Sequence, residues 1–208
     1  TNDDKTLKES LKRYCDDEMI YRKYRLLGLR RVLTEHLYED RLSYIVEKVF
    51  GIRLKQPMPQ VSLIMQTGEN VEKGIRMFSS FNYANKTLYI IGERIDGVDN
   101  ENIKFLTSEE AEKINVSKIA DKGFVGNLCA TNYYGENYLL DLCLTKRYSD
   151  AMAYGKGAFY QFDGRDFSLY GKEHIYRKIE RLLTDRGIFS GEMQFICNLS
   201  LGEFANLK

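Results

Sequence analysis

Apolar residues recur at helical spacing from residue 4 to residue 51. They run Leu7, Leu11 and Tyr14, then Leu26, Leu29, Leu33 and Leu37, then Leu42, Ile45, Val46 and Val49. No proline interrupts them, and Gly51 is placed to stop the last helix. Gly28 costs about 1 kcal/mol relative to alanine inside a helix, so two or three helices are expected rather than one. Pro57 and Pro59 then mark a change of pattern. Residues 1–54 read as a helical N-terminal segment and residues 55–208 as an α/β body.

The body opens with a short apolar run, Val61-Ser62-Leu63-Ile64-Met65, which predicts a buried strand over 60–66. From Gly68 onward, Val71, Ile75 and Phe78 repeat at four and three, with Thr67 available as N-cap, and this predicts a helix. Gly74 and the alternation of Ile75, Met77, Ser79 and Phe81 give a competing strand, which would turn residues 75–95 into a hairpin. Residues 88–91 form a strand under either reading. With the helix, residues 59–95 make a β-α-β unit, and the loop after its first strand becomes a place for a ligand.

Further along, 96–104 is a polar loop. Thr107 with Glu110 signals a capping box and a helix to about Ile114. Residues 124–131 and the apolar run 138–144 read as strands, the second a central one. A short helix is expected among the small residues after Asp150. Strands over 158–162 and 167–170 are joined by a turn at Asp163-Gly164. Ile175, Ile179, Leu182 and Leu183 predict a helix over 172–186, ended by Gly187. The alternation of Met193, Phe195, Cys197, Leu199 and Leu201 predicts a final strand. The fold class is α/β, with α+β as the alternative: a mixed sheet with flanking helices, preceded by the helical segment.

Composition narrows this picture modestly. Lys and Arg number 31 against 30 Asp and Glu, so the charge balance announces neither a nucleic-acid binder nor a membrane binder. No apolar run approaches the roughly 18 residues of a membrane span. Thr1-Asn2-Asp3-Asp4-Lys5 lacks the apolar core of a signal peptide. Cys15, Cys129, Cys143 and Cys197 are far apart, as expected of reduced thiols in a cytoplasmic protein. With two histidines and no ligand spacing, no metal or other cofactor is expected. No G-x-S-x-G or P-loop is present, and Asp141 stands five residues before Lys146, which misses nuclease spacing. No catalytic residue is assigned, and enzymatic activity is left open.

Two loops carry candidate ligand chemistry. Thr67-Gly68-Glu69-Asn70 follows the first strand and offers backbone N–H groups, a hydroxyl and an amide. Thr145-Lys146-Arg147 follows the 138–144 run and adds a hydroxyl and two cations. In open α/β sheets, ligands bind outside the carboxyl ends of strands, where helix N-termini favour phosphate. If the two strands are neighbours, Thr67, Gly68, Asn70, Thr145, Lys146 and Arg147 face one pocket for a nucleotide-like molecule. Basic helix faces give a second candidate, with Arg22, Arg25, Arg30 and Arg31 in one group and Arg177, Lys178 and Arg181 in another. They could track a nucleic-acid backbone, or be solvated faces with paired charges.

The order of an apolar strand, the Thr67-Gly68-Glu69-Asn70 turn, a second strand, the Leu144-Thr145-Lys146 turn and the aromatic run Phe159-Tyr160-Gln161-Phe162-Asp163 resembles the CARF family. These are Rossmann-like domains that sense cyclic oligoadenylates in CRISPR defence. The likeness covers about residues 60–163. It lacks the glycine that often precedes the family's lysine, and the helical part here precedes the domain. The resemblance implies a nucleotide sensor. The leading expectation is thus a cytoplasmic ligand-binding or sensing protein for a nucleotide or other phosphate-bearing ligand. The alternatives are a nucleic-acid-interacting accessory protein and a protein-interaction module or inhibitor from a mobile element.

Overall fold

The computed structural model describes residues 3–54, 58–68, 70–98 and 100–207. Pro57 and Glu69, assigned above to the domain break and the first loop, lie outside them. The chain divides into two compact units, Thr1–Pro57 and Met58–Lys208.

The first unit holds three helices, α1 (Asp4–Asp16), α2 (Glu18–Glu35) and α3 (Tyr38–Phe50). Asp3 caps α1 by accepting from the Lys5 and Thr6 N–H groups, and Asp17 caps α2 by accepting from Met19 and Ile20. The carboxylate of Asp17 is what separates α1 from α2. Gly28 is carried inside α2 without a break. Gly51 ends α3 in the left-handed conformation at φ 70°. Among the described residues of this unit, Leu33 is the one buried apolar side chain.

The second unit is built on β1 (Val61–Gln66), α4 (Val71–Ser80), β2 (Lys86–Ile91), β3 (Ile103–Leu106), α5 (Ser108–Lys113), α6 (Val116–Ala120) and β4 (Phe124–Asn127). Next come α7 (Tyr138–Leu144), β5 (Ala153–Gly155), β6 (Phe159–Phe162), β7 (Phe167–Tyr170), β8 (Gly187–Ser190), α8 (Gln194–Cys197) and α9 (Leu201–Ala205). A six-stranded sheet has the order β3-β2-β1-β4-β8-β5, and β6-β7 is a separate hairpin. β3, β2, β1 and β4 are mutually parallel, whereas β8 runs antiparallel to both β4 and β5. This is an α/β fold with a mixed sheet and a helical N-terminal segment.

Alternation along the strands divides the core in two. Val61, Leu63, Met65, Leu88 and Ile90 meet Phe78, Leu139 and Leu142 on one face. Ile64, Tyr89, Ile91 and Val125 meet Ala111, Val116, Leu201 and Phe204 on the other. β1 is therefore covered on both faces, which is why it reads as an apolar run broken only by Ser62, whose hydroxyl donates to the Ile119 carbonyl at 2.7 Å. Gly74 has a packing reason: a Cβ there would collide with the Met65 thioether, so its absence lets α4 lie close on β1.

Several expected elements differ. The 138–144 run is a helix, not a central strand. Tyr138, Leu139, Leu142, Cys143 and Leu144 are buried, while Asp141 sits 3.7 Å from Lys156. A short apolar run fits either element, and length alone did not decide it. The 172–186 segment is not a helix. It holds two single 3₁₀ turns, 172–174 and 184–186, and Tyr176 takes φ 54°. Its Ile179 and Leu182 instead fill the space over Gly157, Gly155 and Gly187. The 193–201 stretch is α8 and the start of α9, not a strand, because Ser200 and Glu203 form a capping box. β5 lies where a short helix was expected, and β3 begins in the last two residues of the segment read as a loop.

Candidate carboxyl-edge ligand site

The order of the parallel strands reverses at β1. The chain passes from β1 to β2 and β3 on one side, then crosses back to place β4 on the other. The carboxyl ends of β1 and β4 flank this reversal, the position at which open α/β sheets bind ligands in a crevice.

The β1 side of the crevice is Gln66-Thr67-Gly68. The Thr67 N–H donates to the Ile91 carbonyl at 2.9 Å, carrying the strand pairing one residue further. Gly92, just past β2, has φ 132°, and any Cβ on it would collide with the Thr67 hydroxyl. The two loops thus approach as closely as backbone allows. A Cβ on Gly68 would meet nothing within 4 Å, so the loop is open to the outside. Asn70 is the N-cap of α4 but makes no side-chain cap bond; the expected cap, Thr67, lies further out. The next residue after Gly92 is Glu93. It is exposed, and no described residue hydrogen-bonds or ion-pairs with its carboxylate.

The β4 side is polar. Asn127, the last residue of β4, donates from Nδ2 to Thr184 Oγ1 at 3.0 Å and to the Phe204 carbonyl at 3.1 Å. Thr184 donates in turn to the Leu207 carbonyl at 2.7 Å. Gln66 Nε2 donates to Asn206 Oδ1 at 3.1 Å. Residues 204–207 are therefore tied to the ends of both strands that flank the reversal. Beyond β4, the Tyr134 hydroxyl accepts from the Cys129 N–H at 3.2 Å and donates to the Asp185 carbonyl at 2.7 Å. Burial pushes the Tyr134 phenol up to about 12, so it remains a neutral donor.

The structure does not bring the two expected loops together. Thr67, Gly68 and Asn70 lie at the carboxyl edge. Thr145, Lys146 and Arg147 form a 3₁₀ turn at the end of α7. Lys146 Nζ lies 5.7 Å from the Phe124 ring, and Phe124 starts β4 opposite Val61, the first residue of β1. The length of β1, about 17 Å at roughly 3.3 Å per residue, separates the two loops. Thr145 Oγ1 donates to the Asp141 carbonyl. The cause is the element at 138–144: as a helix it delivers its C-terminal turn to the amino edge.

In the basic groups, Arg22 pairs with Glu18 at 2.8 Å, Arg31 pairs with Glu35 at 3.4 Å, and the Arg25 guanidinium lies over the Tyr21 ring. Arg30 lies on α2 as well. Arg177, Lys178 and Arg181 are exposed on the irregular segment and make no helical stripe. Among the described residues no group of His, Cys, Asp and Glu is placed to hold a metal. No described helix is long and apolar enough to cross a membrane.

Glu93, Asn127 and Thr184 were missed from the sequence. Glu93 had a readable signal, a carboxylate immediately after an apolar strand. Asn127 and Thr184 depended on a contact between distant segments: Thr184 lies in the expected 172–186 helix and accepts from Asn127 at the end of β4. No known protein-family model matches the chain, and no curated protein sequence matches it.

Proposed function

We propose that the Met58–Lys208 unit binds a ribonucleotide, or a phosphate ester built on one, at the carboxyl edge of its parallel strands, and that the chain serves as a ligand-binding or sensing protein. The observation that carries this reading is the reversal of strand order between β1 and β4. The open loop at Gly68 leads into the N-terminus of α4, whose positive end suits phosphate, with the Val71 N–H already donating to the Gly68 carbonyl. The unpartnered Glu93 carboxylate is placed for ribose hydroxyls. β8 is antiparallel, so the sheet has one mononucleotide-binding half and not two, which favours a mononucleotide over a dinucleotide. Free cysteines at Cys15, Cys129, Cys143 and Cys197 fit a reducing, cytoplasmic setting.

The test is thermal unfolding of the whole chain with a panel of ribonucleoside mono-, di- and triphosphates and cyclic oligoadenylates. At least one should raise the Tm, and Gly68→Val should remove the rise by filling the loop mouth. A cyclic oligoadenylate as the active member would support the CARF-like reading in particular. No shift with any member overturns the proposal.

A second reading has its own observation. In the helical unit, Leu42, Ile45 and Val49 are spaced by three and four and are 60%, 54% and 66% exposed. Apolar side chains presented in this way favour a protein-interaction role for that unit. Co-purification of a partner that is lost on Ile45→Asp would support it.

A further inference from the structure

A second polar site lies beside the first, built from the loop after β4 and the 184–186 turn. Asn132 Nδ2 donates to Asp185 Oδ2 at 2.7 Å, and Asn132 also approaches the Tyr134 hydroxyl at 3.3 Å. Arg186 Nε lies 4.0 Å from Asp185 Oδ1, with its guanidinium 3.4 Å above the centre of the Phe159 ring. Asp185 is held at side chain and backbone by residues more than fifty positions away. Yet among the described residues its Oδ1 has only that loose contact, and both charged side chains keep about a quarter of their surface exposed. A carboxylate fixed this firmly and left partly open is preorganised for a partner.

Two further observations fall in the same place. Among the described residues, the buried side-chain polar atoms without a partner are Asn127 Oδ1 and the Tyr138 hydroxyl. Asn127 is bonded to Thr184, the residue before Asp185. The Tyr138 ring packs edge-on against Tyr134 at 4.9 Å, and the charges of Asp185 and Arg186 act on its hydroxyl. Buried polar groups are normally paired, so these two atoms extend the polar character of the region inward from the cluster.

We infer that Asn132, Asp185 and Arg186 form a subsite for an uncharged, hydroxyl-rich group such as a sugar ring, seated next to the nucleotide. The pairing of signs selects that chemistry. A cation would be repelled by Arg186 and an anion by Asp185, whereas a hydroxyl can donate to Oδ1 and accept from the guanidinium at once. The placement beside a nucleotide rests on the reading above, and the chemistry of the subsite does not. The group can arrive covalently linked to the nucleotide or as a separate molecule.

The experiment is saturation-transfer NMR on the full chain with three probes: free glucose, a ribonucleoside diphosphate, and the same diphosphate linked to glucose. Transfer to glucose protons, linked or free, is expected. It should fall at least tenfold in both Asp185→Asn and Arg186→Gln, while transfer to ribonucleoside protons stays as in the wild type. Transfer to linked but not free glucose identifies the attached group, and the converse a separate acceptor. Glucose signals unchanged in both variants, or absent in the wild type, overturn the subsite. Ribonucleoside signals absent in the wild type, with variant-sensitive glucose signals retained, would overturn the nucleotide reading and leave the subsite standing.

Discussion

The Thr67 hydroxyl occupies the space that a side chain at Gly92 would need. This contact fixes the spacing between the ends of β1 and β2. Gly92→Ala should therefore destabilise the chain twice over, through a collision and through its φ of 132°. A loss of about 1–3 kcal/mol is expected, read as a lower urea midpoint. Thr67→Ala in the same chain should recover part of it, since the hydroxyl is the nearest atom. Additive losses in the double variant would refute the contact.

Glu93 distinguishes a ribose site from a generic phosphate site. With whichever nucleotide stabilises the chain, wild type should prefer the ribo form over the 2′-deoxy form by about tenfold, the value of one charge-assisted hydrogen bond. Glu93→Gln should erase that preference and leave the affinity for the deoxy form unchanged. Equal discrimination in both proteins would remove Glu93 from the site.

Lys146→Ala and Arg147→Ala should leave nucleotide-induced stabilisation as it is in the wild type. Their turn lies at the amino edge, at the level of Phe124 and Val61. Loss of the Tm shift in either variant would place the ligand at the other end of the sheet.

Alkaline pH should unfold the body through its buried acids. Burial raises the Cys143 thiol from near 9 to about 12. The folded state therefore holds its proton where the unfolded state has released it, and stability falls as pH rises between those values. Tyr134, lifted from 10 to about 12, acts in the same direction. Cys143→Ala should flatten the fall in urea midpoint between pH 9 and 11. The same burial predicts that iodoacetamide at pH 8 alkylates exposed Cys15 and spares Cys143 until the chain unfolds.

Ser200→Ala should cost about 1 kcal/mol, the usual value of a helix cap. Its hydroxyl accepts from the Glu203 N–H at 3.1 Å and donates to the Glu112 carboxylate at 2.9 Å, so one group caps α9 and joins it to α5. An unchanged urea midpoint would contradict this.

The first half of the body was legible because its local signals agree. β1, α4, β2 and α5 each combine the right period with a cap or a flanking glycine. The second half was not, and the reasons differ. At 138–144, six apolar residues broken only by Asp141 suit a strand and a buried helix equally. At 172–186 the helical period is present, but Ile179 and Leu182 use it to cover glycines on neighbouring segments. At Ser200-Leu201-Gly202-Glu203 the same capping signature that located α5 was present and was outweighed by alternation. The position of the Thr67–Gly68 loop at the end of β1 was legible, whereas its neighbour Thr184 across the strand reversal comes from a misread segment.

Gln66 and Asn206 share a hydrogen bond across 140 positions of sequence. During synthesis the β1 end of this edge is made early, and it waits for most of the unit to be translated before residues 204–207 arrive to join it to Asn127 and Thr184. Until then the carboxyl ends of β1 and β4 have no C-terminal cover. Such distant closure slows folding. A nascent chain stalled before residue 200 should expose the Met65–Gln66 segment to protease, and extension past residue 207 should protect it.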